Sequence, residues 1–140
     1  MFLGERRHAL DDKGRVIFPS SMRDELGPHV VLQKGIEACV YVFPTNAWEA
    51  EVERVSSLPT TDPKARRYRR FFFSQAEDQR IDKQGRLTIP QAFRTYAGLT
   101  RDVVVAGVGA RVEIWDAERW ETQRSESEDT VEDFASELGI

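Results

Sequence analysis

The segment DDKGRVIFPSSMR, Asp11 to Arg23, returns 71 positions later as DKQGRLTIPQAFR, Asp82 to Arg94, with Asp, Gly, Arg, Pro and Arg in the same places. This repeat constrains the fold more than any other feature. A chain of 140 residues has room for one compact core. Half of it is too small to bury a good core alone. The two copies are therefore expected to pair about a pseudo-two-fold axis, as the subunits of an isologous homodimer do.

The match continues past the opening segment. Gly27 aligns with Gly98 at the same offset; one extra residue then enters the second copy. From there Val31 aligns with Val103, Gly35 with Gly107, Val40 with Val112, Phe43 with Trp115 and Trp48 with Trp120. The duplicated unit spans about 9–49 and 80–121. Each copy reads in the same order. DDKG and DKQG have Asp first and Gly fourth, the pattern of a type I turn. RVIFP and RLTIP are short strands closed by a proline. PSSMRDELG and PQAFRTYAGL are short helices ended by Gly27 and Gly98. HVVLQ with CVYVF, and DVVVAG with RVEIW, are strand pairs joined through glycine. The helices that follow have Thr45 and Asp116 as expected N-caps.

Between the copies, Asp62 and Pro63 signal the start of a helix. Its apolar stripe is Ala65, Tyr68 and Phe72, with Phe71 beside it, and Arg66, Arg67, Arg69 and Arg70 surround the stripe. The tail is expected to form a separate short amphipathic helix through Val131, Phe134 and Leu138, with Thr130 and Asp133 as a capping box. The expected class is mainly β with short helices (α+β). The expected divisions are a first repeat at 5–50, connecting helices at 51–75, a second repeat at 76–121 and an acidic tail at 122–140.

Charge bears on partners. The net charge of −4 argues against nucleic acid. Its distribution reverses the argument: residues 121–140 hold seven acids and one base, so residues 1–120 carry +2. A local basic face is compatible with that body. No apolar run is long enough to span a membrane. The one cysteine, Cys39, reads as a small core residue in a chain expected in the cytoplasm. His8 and His29 have no ligand-spaced partners, so no metal is expected. GVG, Gly107 to Gly109, is no dinucleotide fingerprint, because no phosphate-binding helix start follows it. No cofactor or small-molecule substrate is expected.

The chemistry concentrates in the turns. An arginine just after a tight turn can donate two hydrogen bonds at once, to guanine or to phosphate. Arg15 and Arg86 have this placement, and a carboxylate four residues earlier, Asp11 or Asp82, can hold the guanidinium ready. The plainer reading gives the aspartates a turn-closing role only and the arginines surface ion pairs. Gly14 and Gly85 complete the turns, and Lys13 and Lys83 are placed to meet phosphates. Arg23 and Arg94 read as paired with acids at the core edge. The central arginines read as intersubunit ion pairs or a solvated face rather than a basic flank for DNA, and the aromatics beside them as core or ring interface rather than a base-stacking platform. Two symmetry-related aspartates also suggest the paired carboxylates of an aspartic protease, but the nearby lysines and arginines keep both ionised. No enzyme is expected; a purely structural ring or scaffold is the alternative.

FLGERRHALDDKGRVIFPSSMR, ARRYRRFFFSQAEDQRIDKQGRLTIPQAFR and VGARVEIWDAERW together resemble the MraZ family of bacterial transcriptional regulators, from Met1 to about Trp120. The resemblance implies two tandem SpoVT-AbrB repeats, with a swapped-hairpin-like arrangement, that form one β-barrel-like unit. It further implies ring-shaped homo-oligomers on the nucleoid. These would bind short direct repeats of double-stranded DNA, rich in GTG, upstream of the family's own gene. The family's Asp-x-x-x-Arg signature falls on Asp11 and Arg15 and on Asp82 and Arg86.

Overall fold

Thirteen elements follow one another in a computed structural model that describes all 140 residues. The first copy contributes β1 (Glu5–Ala9), β2 (Arg15–Ile17), α1 (Ser20–Leu26), β3 (His29–Lys34), β4 (Val40–Pro44) and α2 (Thr45–Ser56). After the connecting helix α3 (Pro63–Ser74), the second copy contributes β5 (Glu77–Arg80), β6 (Arg86–Thr88), α4 (Gln91–Ala97), β7 (Asp102–Gly107), β8 (Val112–Asp116) and α5 (Ala117–Glu137). The class is α+β, dominated by antiparallel sheet.

Six strands form one sheet in the order β1-β7-β8-β4-β3-β5, and β2 and β6 form a separate two-stranded ribbon. Exchanging each strand for its counterpart in the other copy reverses the sheet order onto itself. The pseudo-two-fold axis passes between Tyr41 and Glu113 in the sheet and between Val16 and Leu87 in the ribbon. The copies interlock. β1 of the first copy pairs with β7 of the second, and β5 of the second pairs with β3 of the first.

Strand alternation sorts the side chains to two faces. Val30, Leu32, Val40, Val42, Val103, Val105, Val112 and Ile114 point inward and join ribbon residues Val16 and Leu87 in one core. Met22 and Leu26 of α1 and Phe93 and Ala97 of α4 close that core. Val16 and Leu87 are fully buried, and each such side chain stabilises the fold by about 1.5–3 kcal/mol. The opposite face of the sheet is covered by helices. Phe43 packs on Trp48 of α2, which stacks on Phe72 of α3 at 4.8 Å. Trp115 meets Trp120 of α5 edge to face. At the axis, the Arg111 guanidinium lies 3.9 Å from the centre of the Tyr41 ring and donates to Glu113 at 2.6 Å.

The structure corrects the repeat alignment. β3 begins at His29 and β7 at Asp102, with the same burial pattern, so these strands correspond at an offset of 73 rather than 72. Val31 therefore matches Val104, which is paired with Trp115 just as Val31 is paired with Phe43. Leu99 to Arg101 stand where the first copy has Pro28 alone, and the second hairpin loop is one residue shorter. A run of three branched apolar residues in each strand, Val30 to Leu32 and Val103 to Val105, hides such a slip, although one residue exchanges the two faces. Gly35 and Gly107 are not counterparts. Gly107 lies against the backbone of Phe2 and Leu3, where a Cβ atom would approach within 2.4 Å.

Three local expectations also change. Asp62 caps α3 as expected, accepting from the Lys64 N–H, and Asp116 caps α5 by accepting from the Arg119 N–H. Thr45 makes no side-chain cap; it begins α2 directly after Pro44. The tail is not a separate helix. α5 runs unbroken for 21 residues, and Thr130 bonds back to the Glu126 carbonyl in mid-helix instead of opening a capping box. Of the expected stripe on α3, Ala65 and Phe72 are buried while Tyr68 and Phe71 are half-buried. Cys39 is buried, and burial pushes its thiol pKa well up.

Candidate nucleic-acid interface

Each Asp-x-x-Gly-Arg segment folds as a closed turn. The Gly14 N–H donates to the Asp11 carbonyl at 3.0 Å, and Gly85 to Asp82 at 2.9 Å. Gly14 and Gly85 have φ of 72° and 81°, the left-handed region that glycine enters without Cβ strain. The aspartate side chain then organises the turn. Oδ1 of Asp11 accepts the N–H groups of Lys13 and Arg15, both at 2.9 Å, and Oδ2 accepts Nε of Arg15 at 2.7 Å. In the second copy Oδ1 of Asp82 accepts the N–H groups of Gln84 and Arg86, and Oδ2 accepts Nε of Arg86, at the same distances. Turn closure and arginine orientation, compatible roles for one aspartate, are performed by the same carboxylate in each copy.

This bonding keeps both carboxyls ionised. The Asp11 pKa lies below its ordinary value, chiefly through the backbone N–H of Arg15, with the Arg15 side chain and the Lys13 N–H adding to it. Asp82 is lowered in the same way by the backbone and side chain of Arg86 and by the Gln84 N–H. Because Nε is the only guanidinium atom engaged, the two Nη atoms of each arginine remain available as outward donors.

The β2–β6 ribbon brings the turns together. Arg15 pairs with Thr88 and Ile17 with Arg86 around the buried Val16–Leu87 pair. Alternation then puts Arg15, Ile17, Arg86 and Thr88 on one outer face. The arginines are diagonal neighbours on that face, with Cα atoms roughly 7–8 Å apart. Ile17 and Thr88 were not singled out from the sequence. The signal was available, because each lies two residues from an arginine on a strand whose middle residue is apolar.

The remaining residues separate. Lys13 and Lys83 are exposed in the turns but do not correspond: Lys13 matches Gln84, and Lys83 matches Asp12. Arg23 and Arg94 form no ion pair with any acid, contrary to expectation. Each instead crosses to the other copy. Arg94 lies over Gly14 and Arg23 over Gly85, so close that a Cβ on either glycine would meet a guanidinium or its stem at 2.5–2.8 Å. Neither half-buried cation has a carboxylate at ion-pair distance, and Nε of Arg94 is buried without a partner. Among the central arginines, Arg66 and Arg69 donate to the Thr60 and Leu58 carbonyls, while Arg67 and Arg70 are exposed. Of the α3 aromatics, Phe72 stacks on Trp48 of α2 and Phe71 faces Tyr96 of α4, while Phe73 is exposed. No cluster of His, Cys, Asp and Glu could hold a metal ion. No helix is long and apolar enough to cross a membrane.

A fused pseudo-dimer of two interlocked β repeats, with one arginine-bearing turn from each repeat on a shared ribbon, defines the class of this protein. A family model described as "MraZ protein, putative antitoxin-like" matches residues 1–71 and again 72–138. The chain is 44% identical over 138 residues to the transcriptional regulator MraZ of Natranaerobius thermophilus, covering 99% of this chain and 96% of that one. It is 50% identical over 134 residues to the protein of that name from Salinispora tropica, covering 96% and 94%, and 43% identical along the whole of both chains to that of Clostridium acetobutylicum. The chain belongs to the MraZ family. These relatives carry the name of a regulator, which accords with the expectation that the chain is not an enzyme.

Proposed function

We propose that this protein is a sequence-specific transcriptional regulator that reads double-stranded DNA with the outer face of the β2–β6 ribbon. The observation that carries the reading is the pair of arginines, each held at Nε by its own aspartate and free at both Nη atoms. A two-stranded ribbon fits the major groove, where an arginine fork donates to guanine O6 and N7. Holding the side chain beforehand lowers the entropy lost on binding. Arg15 and Arg86 read bases, Asp11 and Asp82 orient them, and Gly14 and Gly85 shape the turns. Lys13 and Lys83 contact phosphates, which position the protein without reading sequence.

One ribbon offers a small contact, so affinity for a single site is low. Assembly into a ring of identical subunits sets several ribbons against successive direct repeats and raises their effective concentration on the promoter. Occupying its own promoter, and that of the division and cell-wall genes behind it, makes the protein a repressor that works in the cytoplasm on the nucleoid.

A gel shift on the DNA upstream of the gene tests this. The wild-type protein binds with an affinity that falls steeply with salt, while Arg15→Ala and Arg86→Ala lose specific binding with the oligomer intact. Wild-type affinity in both variants overturns the site. Removing the DNA repeats one at a time weakens binding stepwise; undiminished affinity for a single repeat overturns the multivalent account. A structural ring without specific binding treats operator and random duplexes alike.

A further inference from the structure

We infer that the second turn carries a seat for the DNA sugar-phosphate backbone that the first turn lacks, formed by Arg23, Arg80 and Lys83. This rests on the DNA-binding reading above.

These three side chains line one open cleft beside Asp82, built from both copies: Arg23 comes from α1, Arg80 from β5 and Lys83 from the turn itself. None of the three is in an ion pair. The Arg23 side chain is half-buried across Gly85 and makes no hydrogen bond to the rest of the chain, so its guanidinium is open to a further acceptor. The Arg80 side chain has one partner, Nε2 of the His29 ring at 2.8 Å. Two carboxylates line the same cleft, and Asp82 is already occupied by Arg86. Asp24 is the only free one. Three cations against one free carboxylate, in an open cleft adjacent to Arg86, suit a phosphodiester oxygen.

The pseudo-symmetry supplies an internal control. At the repeat offset of 71, Arg23 becomes Arg94, Asp24 becomes Thr95, Arg80 becomes Ala9 and Lys83 becomes Asp12. The first turn therefore keeps one arginine of the three and places a carboxylate where the second has a lysine. Lys13 adds one charge at its tip, and Arg101, whose carbonyl accepts the Leu10 N–H as the Pro28 carbonyl accepts that of Ile81, adds another in the segment that replaces Pro28, so the two ends differ in where their cations stand rather than in their number. The base-reading arginines are equivalent; the backbone anchor is not. Bound DNA thus has a fixed polarity on the ribbon, anchored at the Arg86 end.

Binding of the full-length protein to its upstream duplex and to a random duplex, across a salt series, tests the seat. Arg80→Ala and Lys83→Ala each weaken binding to both duplexes about 3- to 10-fold and flatten the log affinity against log salt slope by about one. Both residues are exposed, so the fold tolerates the changes; Arg23→Lys, which keeps charge and stem, weakens binding less than Arg23→Ala. Asp24→Asn tightens binding. The double variant Ala9→Arg with Asp12→Lys, which transplants the seat to the first turn, strengthens binding to both duplexes. Inorganic phosphate at constant ionic strength does not compete; competition assigns the cleft to free phosphate and overturns the inference. Unchanged affinity and slope in Arg80→Ala and Lys83→Ala, with Arg86→Ala still defective, also overturns it and leaves the DNA reading standing. A wild-type protein that binds neither duplex overturns the DNA reading itself.

Discussion

Around Asp11 and around Asp82 the same hydrogen bonds recur to within 0.1 Å, yet the residues just outside the turns share little. Ala9 stands before one and Arg80 before the other, and inside the turns Asp12 is matched by Lys83. The same contrast runs through the whole molecule. The two copies are alike in the shared core, and they diverge at loops, edges and ends and at the Tyr41–Glu113 pair on the axis of the sheet. A fused dimer frees each half from serving as both partners. Packing at the axis holds the halves to one geometry, while their outer surfaces are free to differ.

The largest expected difference between equivalent positions is at the end of the third strand of each copy. Gly107→Ala forces a methyl group into the backbone of Phe2 and Leu3, which are tied down by the Phe2–Gly109 bridge. Backbone cannot give way as a side chain does, so the cost is about 3 kcal/mol. Lys34 is the structural counterpart and has no such strap. Lys34→Ala loses a 2.7 Å bond to Gln75 and costs within about 1 kcal/mol. Urea unfolding of both variants checks this. Equal costs would mean that the terminal segment does not press on β7.

The next test asks whether equal geometry gives equal function. Arg15→Ala and Arg86→Ala each cost about 1–3 kcal/mol at every repeat engaged, the range for one bidentate base contact, which summed over a ring of subunits removes specific binding. The backbone seat beside Arg86 makes that end bind more tightly, so the two losses are equal in base discrimination but not in salt slope. Titrating both variants against operators mutated at each end separates the two quantities. Identical slopes would remove the functional asymmetry.

The turns themselves should respond alike. Gly14→Ala and Gly85→Ala each put a Cβ into the left-handed region and push aside the arginine that lies over it, for about 1–2 kcal/mol. Thermal melts that agree between the two variants confirm that turn stability does not depend on its surroundings.

The duplication, the turns, the short strands and the valine-rich hairpins were all legible in the sequence, because each has a local signature: Asp and Gly at turn spacing, or a run of β-branched residues. Two strands were not. ERRHA and EDQR have no apolar alternation and are strands only because β7 and β3 offer them free edges. Register within the valine runs was ambiguous for the opposite reason, since every residue satisfies either face. At the site, the local Asp–Arg contacts were readable, whereas Arg23 and Arg94 act across the pseudo-dimer, beyond what spacing along one copy reveals. That crossing follows from the interlock, which places α4 of one copy beside the turn of the other.

Protonation gives a finer comparison. Both aspartates have a lowered folded pKa, so their contribution is present above the ordinary value of 3.8 and is lost as pH falls through the folded value below it. Asp82→Asn keeps an oxygen for the backbone N–H groups but removes the charge facing Arg86. The melting temperature of wild type should exceed that of Asp82→Asn by a constant margin above pH 3.8, and the margin should close below it. Asp11→Asn should trace the same curve. A margin that vanishes near neutral pH would show that the charge is not what holds the turn.

The smallest effect is expected where the copies differ most in length. α2 stops at Ser56 with Val55 buried, whereas α5, at the equivalent position, continues to Glu137 and buries none of its side chains. Val131, Phe134 and Leu138 stand exposed along its second half. Removing residues 127–140 takes away no core contact, so monomer stability changes by within about 0.5 kcal/mol. The segment does carry Glu128, Asp129, Glu132, Asp133 and Glu137 and no base, so its loss moves the net charge from −4 to +1. Removing that field lets DNA approach more readily at low salt, by about 2- to 3-fold for operator and random duplex alike, and the gain disappears at high salt as the charges are screened. A gain confined to operator DNA would instead mean that α5 lies against the reading face, which its attachment beyond Trp120, on the helix-covered side of the sheet, argues against.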